Sequence, residues 1–161
     1  MPRLTYCNFL PEGVQLRQLR GGPWVCPPNR LLNPEMVLVV EDDDDVRQFV
    51  VTVLARQGYR TIESSNGIDA VVHMQPDQPK VDVLVTDVSL LDTDGLALAE
   101  HFATLRPDAG VVIMSGHVSI PRSRLDGLAV PWAFVQKPFH LERMIDAVRG
   151  VLDETGHVRA A

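Results

Sequence analysis

Hydrophobic and polar positions between residues 36 and 152 follow two patterns, short apolar runs and longer amphipathic stretches. Apolar runs of about five residues bounded by turn residues are typical of strands buried on both faces of a parallel sheet. Four such runs and the segment YRTIES predict five strands, at residues 36–40, 59–64, 81–86, 110–115 and 132–136.

Amphipathic stretches with apolar residues three and four positions apart lie between these strands and after the last one. They predict helices at residues 44–56, 66–75, 94–105 and 141–152. Between residues 115 and 132, two prolines and a glycine leave room for one or two helical turns at most. Strands that alternate with helices predict an α/β domain with a doubly wound parallel sheet and helices on both faces.

Composition changes near residue 35, where this alternating pattern begins. Six of the 12 prolines lie in the first 34 residues, which have no clear periodicity. We therefore predict an irregular N-terminal extension at residues 1–35, one folded domain at 36–153 and a short tail at 154–161. Only eight residues follow the domain, too few for a DNA-binding domain. We therefore expect the protein to act through contacts with other proteins and not by binding DNA.

Charge and cysteine usage narrow the class of protein further. The net charge of −6 argues against a nucleic-acid-binding surface. No apolar run approaches the roughly 20 residues that span a bilayer, so no membrane insertion is expected. The two cysteines, Cys7 and Cys26, do not form a CxxC motif. A cytoplasmic protein is the expectation that fits these features.

Chemically reactive side chains follow several of the predicted strands. Glu41 and Asp42 come after the first strand, Asp87 after the third, Ser115 ends the fourth and Lys137 follows the fifth. In doubly wound folds, ligands bind at the carboxyl ends of the strands. Clustered carboxylates are costly without a cation, and Mg²⁺ prefers such oxygen ligands. One carboxylate could then act as a nucleophile toward phosphorus, with the lysine and the metal neutralising charge.

Four motifs in order carry a family resemblance. VVED, LVTD, MSG and QKPF, each at a predicted strand end, resemble the receiver domain of two-component response regulators over residues 36–153. The resemblance implies a flavodoxin-like sheet with strand order 2-1-3-4-5. It also implies a phosphorylation-dependent signalling switch in place of a turnover enzyme. The implied partners are a histidine kinase or histidine phosphotransfer protein as donor and an unknown downstream protein.

The resemblance also implies roles for the acidic residues. Asp87 becomes the phosphoacceptor. Glu41, Asp42 and Asp87 become side-chain ligands of Mg²⁺, and the backbone carbonyl of Ser89 becomes a further ligand. The implied cofactor is therefore Mg²⁺ alone.

Further roles follow from the resemblance at the other strand ends. Ser115 becomes the switch hydroxyl and Lys137 the lysine that contacts the phosphoryl group, while Phe134 becomes the switch aromatic. Ser89 and His117 occupy positions whose side chains affect the lifetime of the phosphoryl group in this family. The residues alone favour core packing for Phe134, so its switch role depends on the resemblance.

Three positions can be compared with the usual residue pattern of receiver domains. Receivers usually carry proline four residues after the phosphoacceptor, where this chain has Leu91. Asp43 adds a third acid beside the metal-binding pair, which leaves open which two of the three contact the ion. The peptide bond before the residue that matches Pro138 is often cis in receivers.

A rival hypothesis comes from LLDTDGLAL, which resembles the DxDG signature of haloacid-dehalogenase-type phosphohydrolases. It would make Asp92 the nucleophile and Asp94 the general acid. In that family, however, the acidic pair follows the lysine, whereas here it precedes every other motif. The apolar run also ends at Thr86, which places Asp92 in the following loop. We expect Asp94 to be the N-cap of the helix that follows.

A second alternative is a pseudo-receiver, a protein-binding module that acts without phosphate. The complete set of site residues argues against it, because a module that never binds phosphate has no need of them.

Overall fold

A computed structural model describes residues 17–18, 24–25, 34–116 and 120–156. Its main sheet has five strands: β1 Met36–Val40, β2 Arg60–Ser64, β3 Val83–Asp87, β4 Gly110–Ser115 and β5 Trp132–Gln136. All neighbouring strands are parallel, in the order β2-β1-β3-β4-β5. The predicted fold class and strand order are confirmed.

Five helices cover the two faces of this sheet. They are α1 Asp44–Arg56, α2 Gly67–Met74, α3 Gly95–Leu105, α4 Arg122–Asp126 and α5 Leu141–Glu154. Helices α1 and α5 pack on one face, and α2, α3 and α4 pack on the other. The prediction that the fourth helix would be short is confirmed, since α4 has five residues.

The core has two layers because successive side chains of a strand point to opposite faces. In β1, Val37 and Val39 pack toward α1 and α5, while Leu38 and Val40 pack toward α2 and α3. All four are fully buried. Because helices cover both sides of the central strands β1, β3 and β4, these strands are continuous apolar runs in which polar and apolar residues do not alternate.

Side-chain caps mark where α1, α2 and α3 begin. Asp43, Asn66 and Asp94 are the N-caps of α1, α2 and α3, and each side chain accepts hydrogen bonds from backbone N–H groups of its helix. The predicted capping role of Asp94 is confirmed. Helix α4 begins after Pro121 with no side-chain cap.

The edges of the domain differ slightly from the predicted boundaries. Glu35 is buried, and its carbonyl accepts a hydrogen bond from the N–H of Arg60 at 3.0 Å, so the packed part begins before β1. Of the predicted extension, the structure describes two short segments, 17–18 and 24–25, which pair antiparallel. No helix within the described ranges is long and apolar enough to cross a membrane.

Candidate functional site

Three carboxylates meet at the carboxyl edge of the sheet. Glu41 directly follows β1, Asp42 begins the loop to α1, and Asp87 is the last residue of β3. One carboxylate oxygen from each lies within 4.8 Å of the others. Glu41 is 1% exposed and Asp87 6%, so two of the three charges lie in the interior of the domain. Because β1 and β3 are adjacent parallel strands, their ends bring these residues together.

Lys137, directly after β5, supplies the opposing charge. Its Nζ lies 2.6 Å from Oε2 of Glu41 and 3.2 Å from Oδ1 of Asp87. Its backbone N–H donates to the carbonyl of Ser115 at 2.8 Å, which anchors the lysine to the end of β4. The peptide bond between Lys137 and Pro138 is cis, as the resemblance implied.

Burial and the neighbouring charges shift the pKa values of this pair. Burial raises the pKa of Glu41, and the charge of Asp87 adds to the rise against the opposing effect of Lys137. Burial works to lower the pKa of Lys137, but its bonds to Glu41 and Asp87 outweigh this and raise that pKa. Lys137 is therefore held as a cation beside two carboxylates.

The donor set fits a hard divalent cation. Glu41, Asp42 and Asp87 offer only carboxylate oxygens, the ligands that Mg²⁺ prefers. One ammonium group cannot balance three carboxylates, so a net negative charge is left in a largely buried place, and a cation would relieve it. Within the described ranges, this is the only group of three such residues close enough to share an ion.

Asp43, the second aspartate of the DDDD run, lies elsewhere. The carboxylate of Asp43 accepts hydrogen bonds from the N–H groups of Asp45 and Val46, at 3.0 and 3.1 Å, and caps α1. Asp43 is outside the carboxylate group. The geometry therefore brings Glu41 and Asp42 to the site and leaves Asp43 at the helix.

The loop after Asp87 is folded tightly back on β3. The N–H of Gly95 donates to the carbonyl of Val88 at 2.8 Å, and Ser89 pairs with Asp94 in an isolated bridge. A Cβ on Gly95 would lie 1.7 Å from the carbonyl oxygen of Asp87, so only glycine lets α3 start this close to the strand. Ser89 is thereby held near the carboxylates.

The predicted switch residues lie on the next two strands. Ser115 ends β4 and is 1% exposed. Phe134 on β5 is half-buried and packs with Trp132 against the core layer on the α2 and α3 side. His117, the predicted lifetime residue, lies outside the described residues.

Asp92, the rival nucleophile, does not join the carboxylate group. Its oxygens accept hydrogen bonds from the N–H groups of Gly67 and Ile68, each at 2.9 Å, at the start of α2. These two bonds, the one from Gly67 first, lower the pKa of Asp92. A cap that reaches across 25 residues leaves no signal in local sequence spacing.

Two further features escaped sequence reasoning. Arg124 of α4 binds Asp94 at 2.8 Å and Glu100 at 3.4 Å, which links α4 to α3. An apolar groove of about 460 Å³ lies beside Lys137 and is lined by Asp45, Val46, Phe49, Lys137, Pro138 and Phe139. The rings of Phe49 and Phe139 lie 6.2 Å apart, which joins α1 to the loop before α5.

Known proteins share this architecture. A receiver protein from Sinorhizobium medicae superposes with a TM-score of 0.68 at 23% identity, covering 77% of this chain and 98% of that one. The response regulator receiver protein CpdR of Brucella abortus is 28% identical over 116 residues, which is 72% of this chain and 95% of CpdR. The sensor kinase CckA of the same organism is 27% identical over 156 residues, and this chain spans 16% of that kinase.

The family model for the response regulator receiver domain matches residues 37–149, most of the chain. Its range covers β1 to α5 and therefore all residues of the carboxylate group and Lys137. This chain belongs to the family of response regulator receiver domains of two-component systems.

Proposed function

We propose that this chain is a phosphoacceptor receiver, which takes a phosphoryl group onto Asp87 in the presence of Mg²⁺ and switches a protein-interaction face. The donor is a histidine kinase or a histidine phosphotransfer protein. The observation that carries the proposal is the buried carboxylate of Asp87, 3.2 Å from the Lys137 ammonium and grouped with Glu41 and Asp42.

The site residues have complementary tasks in the transfer. An oxygen of Asp87 forms the new bond to phosphorus while the bond from phosphorus to the donor imidazole nitrogen breaks, and that nitrogen keeps the electron pair. Lys137 neutralises charge on the transferred oxygens. Glu41, Asp42, Asp87 and the carbonyl of Ser89 would hold Mg²⁺. When bound, the ion supplies further charge neutralisation.

Phosphorylation would then alter the face formed by the ends of β4 and β5. The hydroxyl of Ser115 would bond a phosphoryl oxygen, and Phe134 would turn inward into the space that this movement opens. The half-buried state of Phe134 is consistent with a ring that still has room to pack further. Ser89 and His117 would tune how long the phosphoryl group survives.

The apolar groove beside Lys137 supports a protein donor. A donor histidine must approach Asp87 from the open side of the site, and Phe49, 42% exposed, lies along that approach together with Phe139. An apolar surface at this place would hold a partner helix while the transfer occurs.

The chain would act as a switch that catalyses only its own phosphorylation and dephosphorylation. Because histidine kinases draw the phosphoryl group from ATP, the proposed place of action is the cytoplasm. The downstream partner would be a protein that binds the altered β4 and β5 face.

Intact-mass measurement after incubation with acetyl phosphate and Mg²⁺ tests this proposal. Wild type and Asp92→Asn should each gain one phosphoryl group, and Asp87→Asn should gain none. Asp92→Asn is the matched control, because it makes the same chemical change in the loop that directly follows Asp87.

Loss of the adduct only in Asp92→Asn would overturn the assignment and favour the phosphohydrolase hypothesis. Wild type that gains nothing from acetyl phosphate or from a phosphohistidine donor would favour the pseudo-receiver.

A further inference from the structure

The loop between β3 and α3 presents Ser89 to the site, yet it lacks the proline that receivers usually carry four residues after the phosphoacceptor. Leu91 takes that place, and its side chain is 91% exposed, so it anchors nothing within the domain. The far end of the loop is held by the bridge between Ser89 and Asp94. The middle of the loop needs another support.

Asp92 provides a support from a different part of the chain. Its Oδ1 accepts from the N–H of Gly67 and its Oδ2 from the N–H of Ile68, both at 2.9 Å. Hydrogen bonds to an ionised acceptor are stronger than neutral ones, and a helix N-terminus favours a negative charge. Both oxygens of one carboxylate therefore tie the loop to the first turn of α2.

Close packing reinforces these bonds. A Cβ on Gly67 would lie 2.2 Å from Cγ2 of Thr93, the residue next to Asp92. The loop and the helix start thus fit together only because residue 67 has no side chain. Meanwhile, α2 has its own cap in Asn66, whose side chain accepts from the N–H of Asp69 at 2.8 Å. Asp92 is therefore not needed to start the helix.

We propose that Asp92 is a positioning residue for the metal site, because its carboxylate clamps the Ser89 loop to the N-terminus of α2. It supports the loop in a chain that has Leu91 where receivers usually carry proline. Asp92 contacts neither the ion nor the phosphoryl group and acts only through the loop. This inference rests on the proposed function, since it concerns the Mg²⁺ that Ser89 would help to bind.

Mg²⁺ affinity is the property that this clamp should control. Partners that orient metal ligands typically contribute 10–100-fold to affinity, so Asp92→Ala should raise the Mg²⁺ Kd about tenfold. Asp92→Asn retains one acceptor oxygen and should lie between wild type and Asp92→Ala. At saturating Mg²⁺, all three proteins should accept one phosphoryl group from acetyl phosphate.

The same clamp can be opened from the helix side. Gly67→Ala should push Thr93 away and raise the Mg²⁺ Kd in the same direction. Adding Thr93→Ala removes the Cγ2 that clashes, so the double variant should regain most of the affinity. A structural loss unrelated to the loop would not be rescued in this way.

Isothermal titration calorimetry with Mg²⁺ alone measures these affinities on the full chain, and urea unfolding confirms that each variant is folded. Asn66→Ala is the control, because it weakens the start of α2 without touching the loop. Its Mg²⁺ Kd should equal that of wild type.

The results separate this inference from the proposed function. Unchanged Mg²⁺ affinity in Asp92→Ala, beside a wild type that binds Mg²⁺ and is phosphorylated on Asp87, would overturn the positioning role alone. An equal loss in Asn66→Ala would do the same, since helix stability would then explain the effect. A wild type that binds no Mg²⁺ would overturn both.

Discussion

The α1 and α5 face of the sheet differs from the end of the other face, where α4 lies. On one face, α1 and α5 have 13 and 14 residues and bury side chains such as Leu54 and Leu152 completely. On the other face, the row of helices ends at α4, which has five residues and buries Leu125. Next to α4, Trp132 and Phe134 of β5 remain half-buried. The apolar groove lies beside α1, and Phe134, the predicted switch aromatic, lies on the face that ends at α4.

This difference indicates how one small domain can combine a rigid binding site with a surface whose packing can change. Stability is not uniform within a domain, and segments with few buried contacts open first. Glu41 and Asp42, which would bind the ion, lie just before α1, and the groove that would hold the donor lies between α1 and the loop before α5. The residues that would signal lie beside the least-packed helix, where a small change in packing costs little.

The largest expected effect concerns one leucine from each face. Leu152→Ala should lower the free energy of unfolding by about 3 kcal/mol, since this side chain is fully buried between α5 and the sheet. Leu125→Ala in α4 should cost less than about 2 kcal/mol, because a single helical turn can collapse onto the gap. Urea unfolding measures both. Equal losses would show that the faces are equally packed.

A second prediction concerns the chain's two lysines. Lys137→Ala removes the cation beside Glu41, which is 1% exposed, and should cost about 1–3 kcal/mol. Mg²⁺ should restore part of this stability, because it would meet the uncompensated carboxylates.

Lys80→Ala is the matched control. Lys80 lies 2.6 Å from Asp108, but both side chains are about half exposed, so the loss should stay under about 1 kcal/mol. If both variants lost a similar amount of unfolding free energy, the charges around Lys137 would contribute no more to stability than an exposed ion pair does.

A smaller effect is expected at the link between α4 and α3. Arg124→Ala removes the ion pairs to Asp94 and Glu100 and should accelerate amide hydrogen exchange in α4. The free energy of unfolding of Arg124→Ala should differ from that of wild type by less than about 1 kcal/mol, since the side chains of these ion pairs are well exposed. Arg122→Ala breaks only the pair with Asp126 inside α4 and should leave exchange unchanged. Equal exchange rates in both variants would contradict the link.

The smallest effect is a pH dependence of the same link. Partial burial works to raise the pKa of Asp94. This is outweighed by hydrogen bonds from Arg124 and from the N–H of Leu96, together with the positive charge of Arg124, so the pKa of Asp94 is lowered below 3.8. A lowered folded-state pKa stabilises the fold above the unfolded value, and this is lost as the pH falls through the folded value. The protection of α4 amides from hydrogen exchange should therefore fall only below about pH 3.8, and Arg124→Ala should weaken that dependence, because the N–H of Leu96 still lowers the pKa of Asp94.

Much of the fold could be predicted from the sequence because buried parallel strands leave apolar runs. The runs at β1, β3 and β4 indicated the centre of the sheet, and the acids at the ends of β1 and β3, with the lysine after β5, indicated the candidate site. The order of four motifs then predicted the strand order. Even so, the apolar run at β3 stopped one residue before the strand does, so Asp87 lies within β3 and not after it.

Other parts of the site could not be predicted, because they depend on contacts between distant segments. The cap that Asp92 forms on α2 joins residues 25 positions apart, and Arg124 reaches Asp94 across 30. The apolar groove requires Phe49 and Phe139 to meet. None of these pairings changes the local periodicity from which elements are predicted, so only the three-dimensional structure reveals them.

Gly95 has a consequence for mutational scans of this chain. A single added carbon at this position would lie 1.7 Å from the carbonyl oxygen of Asp87, so every substitution would displace the backbone of the proposed phosphoacceptor. A deep mutational scan scored by signalling would rank residue 95 with the chemical residues, although glycine has no functional group. Intolerance at this position would report steric exclusion, and libraries built to retune the switch should leave it constant.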